Sequence, residues 1–494
     1  IAAGSHIAQF TPTSNYAWSN GGTETRAATW SIAKATPVLQ LSQNAVTLNA
    51  QHPTAQVQIT TPSTGALSVA AAPSGIVTTT LQGKVLTITA LKTGTTTITV
   101  TQAADSNYNA PTAKTVEVAA KMVSIFGVQW ARGSSTALTR LTPASDPFKV
   151  VTENIQASPS PAVGTGLGSS PFDNFAPWKD IARYNVENNA ITVKQGQGGF
   201  SQTTKDTVVW IPEFYVRTAV SGGTICFYIA DSATKGFVKH PGSGKFVARY
   251  ETGNSGGYVT RSSLTPQVNM TRATARTQSH AKGTKWYQRG YACWGALWYL
   301  YLVEFADWNS QKKIGRGYVN DNSSAIKTGG TDAMTYHTGR ATTGINGRTA
   351  VQYRWVENPW GNVYEWVDGV NFNNQRMYYC TNPAQYADDT TSNYTDSGMT
   401  LPSSGWPTNI ANPTANLQWA YMPSATGGSD STYIPDYVHS NAGWQVLHVG
   451  GDWDNKSNAG LFDFYAGRTS SNTSARIGSR LEFEPDATDL AKVA

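Results

Sequence analysis

The spacing of apolar and polar positions divides the chain in two. From Lys34 to about Ala120 it runs in short stretches of period two: Val57 and Ile59, Leu67 and Val69, Val85 to Ile88, Thr97 to Val100. Pro62, Pro73-Ser74-Gly75, Gly83 and Gly94 interrupt them at near-regular intervals, with no helical stretch between. Strands spaced this way predict a small antiparallel sandwich over residues 35–121. Residues 1–34 set Phe10, Tyr16, Trp18 and Trp30 among turn residues such as Asn20-Gly21-Gly22, which reads as the C-terminal part of a further β domain whose start is missing. Ser14-Asn15-Tyr16 recurs as Ser106-Asn107-Tyr108, each ahead of a Thr- and Ala-rich strand, Ala27 to Ile32 and Lys114 to Val118. That recurrence has the form of a tandem repeat.

Beyond Met122 the texture becomes aromatic and irregular. A short helix is predicted at Pro177 to Tyr184, with proline suited to a helix start. A stronger one follows: Trp294, Leu297, Trp298, Tyr301, Leu302, Phe305 and Trp308 draw one broad apolar stripe, which predicts the central core helix. An aromatic stripe of this spacing reads as packing rather than as a cofactor pocket. From Asn309 onward loops dominate, and long loops on a compact scaffold are where function concentrates.

In the last fifth, residues 443–481, two populations interleave. Leu447, Val449, Gly450, Gly451, Leu461, Phe462, Ile477 and Leu481 have the look of strands that bury a face. The second set, His448, Asp452, Asp454, Asp463, Tyr465, Gly467, Arg468, Ser474 and Arg476, shares no single chemistry. A catalytic site concentrates a few matched groups, whereas a recognition surface can be this mixed. These nine are the candidate ligand-binding residues, and no catalytic residue is assigned.

Composition narrows the class. At 494 residues the chain exceeds one ordinary core. Only 14% of residues are charged, while Gly, Ser, Thr and Asn abound, a balance of β-rich extracellular or virion proteins. The net charge of +6 is scattered, without a basic run to track a phosphate backbone, so nucleic acid is not an expected partner. Cys226, Cys293 and Cys380 are widely spaced and read as buried free thiols, with one disulfide as the alternative. No pair of histidines has metal-ligand spacing. The chain starts at Ile1 without a visible signal peptide, which reads as a fragment or processed form, and Ala292 to Val303 is too short to span a bilayer.

Two further patterns bear on chemistry. Gly253-Asn254-Ser255-Gly256-Gly257 fits the nucleophile-elbow spacing, but strand-like sequence on both sides favours a hairpin turn. Oxygen ligands for calcium could be drawn from Glu365 and Asp368 near Asn362, or from Asp452 and Asp454 near Asn455; solvated loop carboxylates are the favoured reading of both groups.

Two resemblances sharpen these expectations. Residues 35–121 resemble bacterial immunoglobulin-like repeats, which act mostly as spacers. The stretch Asn358-Pro359-Trp360-Gly361-Asn362-Val363-Tyr364-Glu365-Trp366, followed by Gly450-Gly451-Asp452-Trp453 and Gly478-Ser479-Arg480, resembles the signature of the formylglycine-generating enzyme family. That resemblance implies a variant of the C-type lectin fold over residues 122–485. The family's copper-dependent chemistry uses a cysteine between the last two motifs, and this chain has none after Cys380, so no enzyme activity is expected.

The C-terminal frame is more similar to the variable proteins of diversity-generating retroelements, which share the fold and include a phage tropism determinant. There, miscopied template adenines turn asparagine codons into many other residues. The nine candidates can all arise from an AAC codon, whereas Lys456 cannot, and Trp453, Phe462 and Phe464 read as scaffold. The resemblance implies an all-β sandwich followed by an α+β lectin-fold head with a variable region at 443–481. The expected function is attachment from a virion tail or bacterial cell surface to a host protein or glycan receptor, as a homotrimer, without membrane insertion. Altered formylglycine-type chemistry and calcium-dependent sugar binding are the alternatives.

Overall fold

A computed structural model describes residues 2–49, 52–133, 135–320, 323–342 and 347–493. The chain forms two compact units, Ile1–Val123 and Ser124–Ala494.

The first unit begins with an antiparallel ribbon, Gly4–Phe10 on Arg26–Ile32. Two four-stranded sheets follow. One is ordered Ala45–Asn49, Lys114–Lys121, Gly94–Gln102, Leu67–Ala72, and the other Gln40–Leu41, Thr54–Thr60, Val85–Ala90, Val77–Gln82. Alternate residues point inward from both sheets: Val46, Leu48, Val57, Ile59, Leu86, Ile88, Ile98, Val100, Val116 and Val118 form one buried cluster. The period-two positions of the sequence are therefore the faces of a β-sandwich. It is not purely antiparallel, because Ala45–Asn49 runs parallel to Lys114–Lys121.

The second unit is built around helix α2 (Tyr291–Phe305). All fifteen of its residues are buried, so the predicted stripe is in fact a whole circumference. The helix has no solvent face because sheet strands, loops and a second aromatic layer close on every side; Trp298 and Tyr301 meet Phe462, and Tyr299 meets Phe227. Its buried Glu304 is neutralised by Arg354 at 2.5 Å and accepts hydrogen bonds from Ser170 and Tyr353. A carboxylate at that depth needs such a partner set. Ala306 closes the helix in the left-handed region, at φ 52°.

The helix predicted at Pro177 to Tyr184 is not formed. Trp178–Asp180 makes a single 3-10 turn, and Arg183–Glu187 is a strand paired with Asp206–Ile211. Sheet pairing and burial of Tyr184 and Val186 outweigh the local helix signal. Gly253–Asn254 and Tyr258–Val259 form the expected hairpin, turning through Gly256 and Gly257 at positive φ. Cys226, Cys293 and Cys380 are buried free thiols.

The sheet that carries the candidate residues comprises β1 (Tyr364–Asn373), β2 (Arg376–Tyr379), β3 (Thr395–Thr400), β4 (Val438–Ser440), β5 (Trp444–Val449), β6 (Phe464–Arg468) and β7 (Ile477–Ser479). Its order is β3-β2-β1-β5-β6-β4, and β7 runs parallel to the start of β1. Helix α1 (Arg272–Lys282), capped by Thr271, lies against β1, where the buried Arg272 donates to the carbonyls of Val367 and Val370. Among the described residues, β structure predominates and no helix is long and apolar enough to cross a membrane.

Candidate functional site

The first and third motifs, far apart in sequence, meet at one buried ion pair, and the second is tied to the first by backbone hydrogen bonds from Gly361 to Gly450 and from Trp453 to Asn362. Arg480, fully buried, grips Glu365 through Nε and Nη2 at 2.6–3.0 Å, and Arg289 approaches the same carboxylate at 2.7 Å. The remaining Arg480 hydrogens go to the carbonyls of Ala248, Arg249, Glu357 and Asn358. Asn362, at φ 65°, donates to Glu251 and receives from the Ile326 amide, while Trp366 donates to the Met270 carbonyl. Gly451, at φ 81°, turns the chain where a Cβ would stand 2.4 Å from that of Ala459. The motif residues are thus a frame that fixes where β1, β5 and β7 begin and end.

On that frame lies a hollow of about 200 Å³. Register places its floor: His448 on β5 stands opposite Trp366 of β1 on one side and Tyr465 of β6 on the other. Its imidazole contacts the rings of Tyr364, Trp366 and Tyr465, with centroids 4.6, 5.1 and 4.4 Å away. The Tyr465 ring is backed by His439, stacked at 4.3 Å. Asp452, Asp454 and Asn455 form the wall after β5, and Arg468 stands at the end of β6. Ser474, Arg476 and Ile477 close the opposite wall.

The electrostatics are set by burial. His448 is buried among aromatic rings near Arg468 and His439, which holds its pKa well below the usual imidazole range, so the ring is neutral. Its Nδ1 is buried without a hydrogen-bond partner. Asp452 is pushed above the usual carboxylate range by desolvation, although the Arg476 guanidinium sits 3.0 and 3.1 Å from its two oxygens. Arg476 also reaches Asp454 at 3.5 Å and lies over the Trp453 ring. One oxygen of Asp454, Oδ1, is buried and unpartnered. Tyr364 accepts a hydrogen bond from Asn455 at 2.9 Å. Arg468 is exposed, has the Tyr465 ring beneath it, and meets no carboxylate within ion-pair distance among the described residues.

Of the nine residues singled out from sequence, seven line this hollow: His448, Asp452, Asp454, Tyr465, Arg468, Ser474 and Arg476. Asp463 and Gly467 do not. Asp463 is buried, with neither carboxylate oxygen meeting a hydrogen-bond donor at bonding geometry, and burial raises its pKa well above the usual range. Gly467 makes room for the His439 ring that backs Tyr465. Three of the nine are buried and not surface positions: His448 stands on the central strand β5, and Asp452 and Asp463 lie in the turns just after β5 and just before β6.

Tyr364 and Asn455 line the hollow without having been singled out. Tyr364 sits inside the signature-like stretch 358–366, and its place beside the imidazole of His448 follows from the pairing of β1 with β5. Neither proposed calcium group consists of solvated carboxylates. Glu365 is taken by Arg480 and Arg289, and Asp368 by Arg276 at 2.5 and 3.0 Å. Asp452 and Asp454 share Arg476. Among the described residues no group of three His, Cys, Asp or Glu side chains is placed to hold a metal ion.

No protein-family model and no curated protein matches the chain. Among solved structures it is similar to domains 1–6 of the surface-layer protein SbsC, with 12% identity and a TM-score of 0.17, over 54% of this chain and 30% of that one. Domains 4–9 of SbsC match at 12% identity and a TM-score of 0.16, over 99% and 70% of the two chains. The Yersinia pseudotuberculosis adhesin InvE matches at 12% identity and a TM-score of 0.16, over 72% and 93%. Likenesses of this size carry no argument about what the chain does.

Proposed function

We propose that the second unit is the ligand-binding head of a receptor-binding protein carried on a virion tail or a bacterial surface, and that the hollow on β1, β5, β6 and β7 is the centre of its binding surface. The head has the C-type lectin variant described above, and the first unit is a spacer. One observation carries the reading. Seven residues chosen from sequence for their mixed chemistry, on strands and loops spanning residues 448–476, line a single cavity, and the motifs flanking them form its frame. A scaffold fixed by buried ion pairs and tight glycine turns can hold such a surface while its lining side chains vary.

Retention of the labelled full chain on a panel of intact bacteria tests it. The wild type should be retained by some strains, and a Tyr465→Ala, Arg468→Ala double variant should lose at least tenfold of that binding while still unfolding cooperatively, with an Arg468→Ala single variant of unchanged melting temperature as the control. Retention that is indifferent to both substitutions would remove the hollow from the binding surface. Sequencing the parent genome tests the diversification: a near-copy of the codons for residues 443–481, differing at adenines and lying beside a reverse transcriptase gene, is the expected finding.

A further inference from the structure

We propose that the second unit carries a further binding site, separate from the hollow: a cleft between the hairpin over residues 253–259 and the last turns of α1 takes an oxyanion, phosphate or carboxylate, borne on a hydroxyl-rich carbon chain. The cleft measures about 510 Å³, within the range of about 300–1,000 Å³ usual for small-molecule sites, and has no lining residue in common with the hollow. One of its walls is the glycine-rich stretch Asn254-Ser255-Gly256-Gly257.

Both walls are fixed from behind. Gly256 and Gly257 turn the hairpin at φ 68° and 143°, and the Gly257 amide donates to the Asn254 side chain at 3.3 Å. The buried Tyr258 anchors the returning strand through its hydroxyl, which meets that of Ser479 on β7. Opposite, α1 buries Ala275 and Ser279 and turns Gln278, Ala281 and Lys282 to the cleft. The neutral polar side chains at the site, Asn254, Ser255 and Gln278, can both donate and accept, which suits ligand hydroxyls. Tyr258 and Val259 are buried, so no large exposed apolar side chain offers a seat for a hydrophobic ligand.

Charge sets the ligand class. Arg261 and Lys282 line the cleft, and no carboxylate among the described residues does. Asp206 answers both cations from outside it: Lys282 bonds this carboxylate directly, whereas Nη2 of Arg261 stays 3.8 Å away. One carboxylate against two cations leaves a positive charge, and that charge is held in place. The Lys282 side chain is only 11% exposed, with its ammonium 4.7 Å from the centre of the Trp286 ring, and in the last turn of α1 it offsets the partial negative charge of the helix end. Nε of Arg261 is buried without a hydrogen-bond partner. A buried donor left unmade costs stability, and the acceptor that a guanidinium fork matches is an oxyanion with two oxygens in one plane. Beyond the same two cations a second cavity of about 400 Å³, with Asn188, Asn189 and Thr204 in its lining, leaves room for the carbon chain to run on. There Glu187 is already paired with Lys205 at 2.8 Å, so the unanswered charge stays beside Arg261.

Saturation-transfer NMR on the full chain tests the site with three matched probes: ribitol 5-phosphate, ribonate and neutral ribitol. The expected result is transfer to the phosphate, the carboxylate or both, weakened by added salt, and none to ribitol. Transfer to one acid alone names which oxyanion the cleft takes. Arg261→Gln should reduce the signal tenfold or more. Ala281 is an exposed helix position where glutamate and lysine are both good helix formers, so Ala281→Glu should abolish binding by setting a carboxylate in the cleft, and Ala281→Lys should strengthen it. The Tyr465→Ala, Arg468→Ala variant should bind as the wild type does, because the hollow is a different site. Equal transfer to ribitol overturns the acidic ligand. No transfer to any of the three probes, or transfer that survives both Arg261→Gln and Ala281→Glu, removes the site.

Discussion

A Cβ on Gly467 would stand 2.0 Å from Cδ2 of His439, the ring that stacks on Tyr465. No backbone restriction forces glycine there; the space itself is what the imidazole occupies. Gly467 therefore acts on the hollow from behind, by letting His439 fix the angle of the Tyr465 face. Gly467→Ala should cost about 1 kcal/mol, the low end for overpacking, because a half-buried imidazole can swing aside. Combining it with His439→Ala should recover most of that loss, since the clash is removed. Chemical denaturation of the two single variants and the double variant measures the coupling.

The Arg480 and Glu365 pair should behave as the keystone of the frame. Arg480→Met leaves four carbonyls and a buried carboxylate short of donors, with Arg289 the remaining cation. Breaking a buried pair from one side costs about 3–5 kcal/mol. Adding Glu365→Gln should deepen the loss, because it takes from the fully buried Arg289 the carboxylate that still pairs with it. Urea unfolding followed by tryptophan emission reports on the second unit, whose α2 region is rich in buried tryptophans.

How much of this was legible beforehand depended on whether the signal was local. The strands of the sandwich show in sequence because Val57 and Ile59, or Ile98 and Val100, alternate inward on one sheet face. Helix α2 shows because its aromatic residues recur at helical spacing, but its full burial does not, since that depends on what packs around it. The lining of the hollow was half legible. His448, Asp452 and Arg476 stand out as chemistry in an otherwise apolar or glycine-rich frame, while Tyr364 reaches the same cavity from 84 residues before His448 through strand pairing. Asp463 was misplaced for a related reason: strand alternation from Phe462 and Phe464 marks it as lying on the opposite face from those rings, and that face is also covered.

Acid should weaken the second unit through a histidine far from the hollow. His240 is buried beside Phe214, Tyr299 and Trp419, its Nδ1 accepts a hydrogen bond from the Gly242 amide, and burial pushes its pKa down to about 3. The unfolded chain protonates this residue near pH 6.5 and the folded one does not, so the unfolded state binds the extra proton between about pH 6.5 and 3. Stability is whole above that window and falls through it as pH drops, by up to about 1.4 kcal/mol per pH unit. His240→Phe keeps ring packing and removes the titrating group. Its stability relative to wild type should improve steadily as pH is lowered, as read from denaturation midpoints across the window.

Asp463 should give a pH dependence of the opposite sign. Its carboxyl is buried, lacks a donor at bonding geometry, and is held protonated by desolvation, with Asp436 and Asp452 adding to the effect and the Tyr364 hydroxyl offsetting part of it. The folded state therefore keeps a proton that the unfolded state releases above about pH 3.9. Its stabilising contribution is complete below that pH and is lost as pH rises towards the folded pKa. Asp463→Asn preserves shape and neutrality without a proton to lose. Near pH 4 the variant and wild type should differ by less than about 1 kcal/mol. As pH increases the variant should become the more stable of the two, by up to about 1.4 kcal/mol for each unit until the folded carboxyl ionises. If the gap between them stays constant from pH 4 to 8, Asp463 is ionised in the fold, and the buried site behind the hollow carries a negative charge instead of a neutral acid.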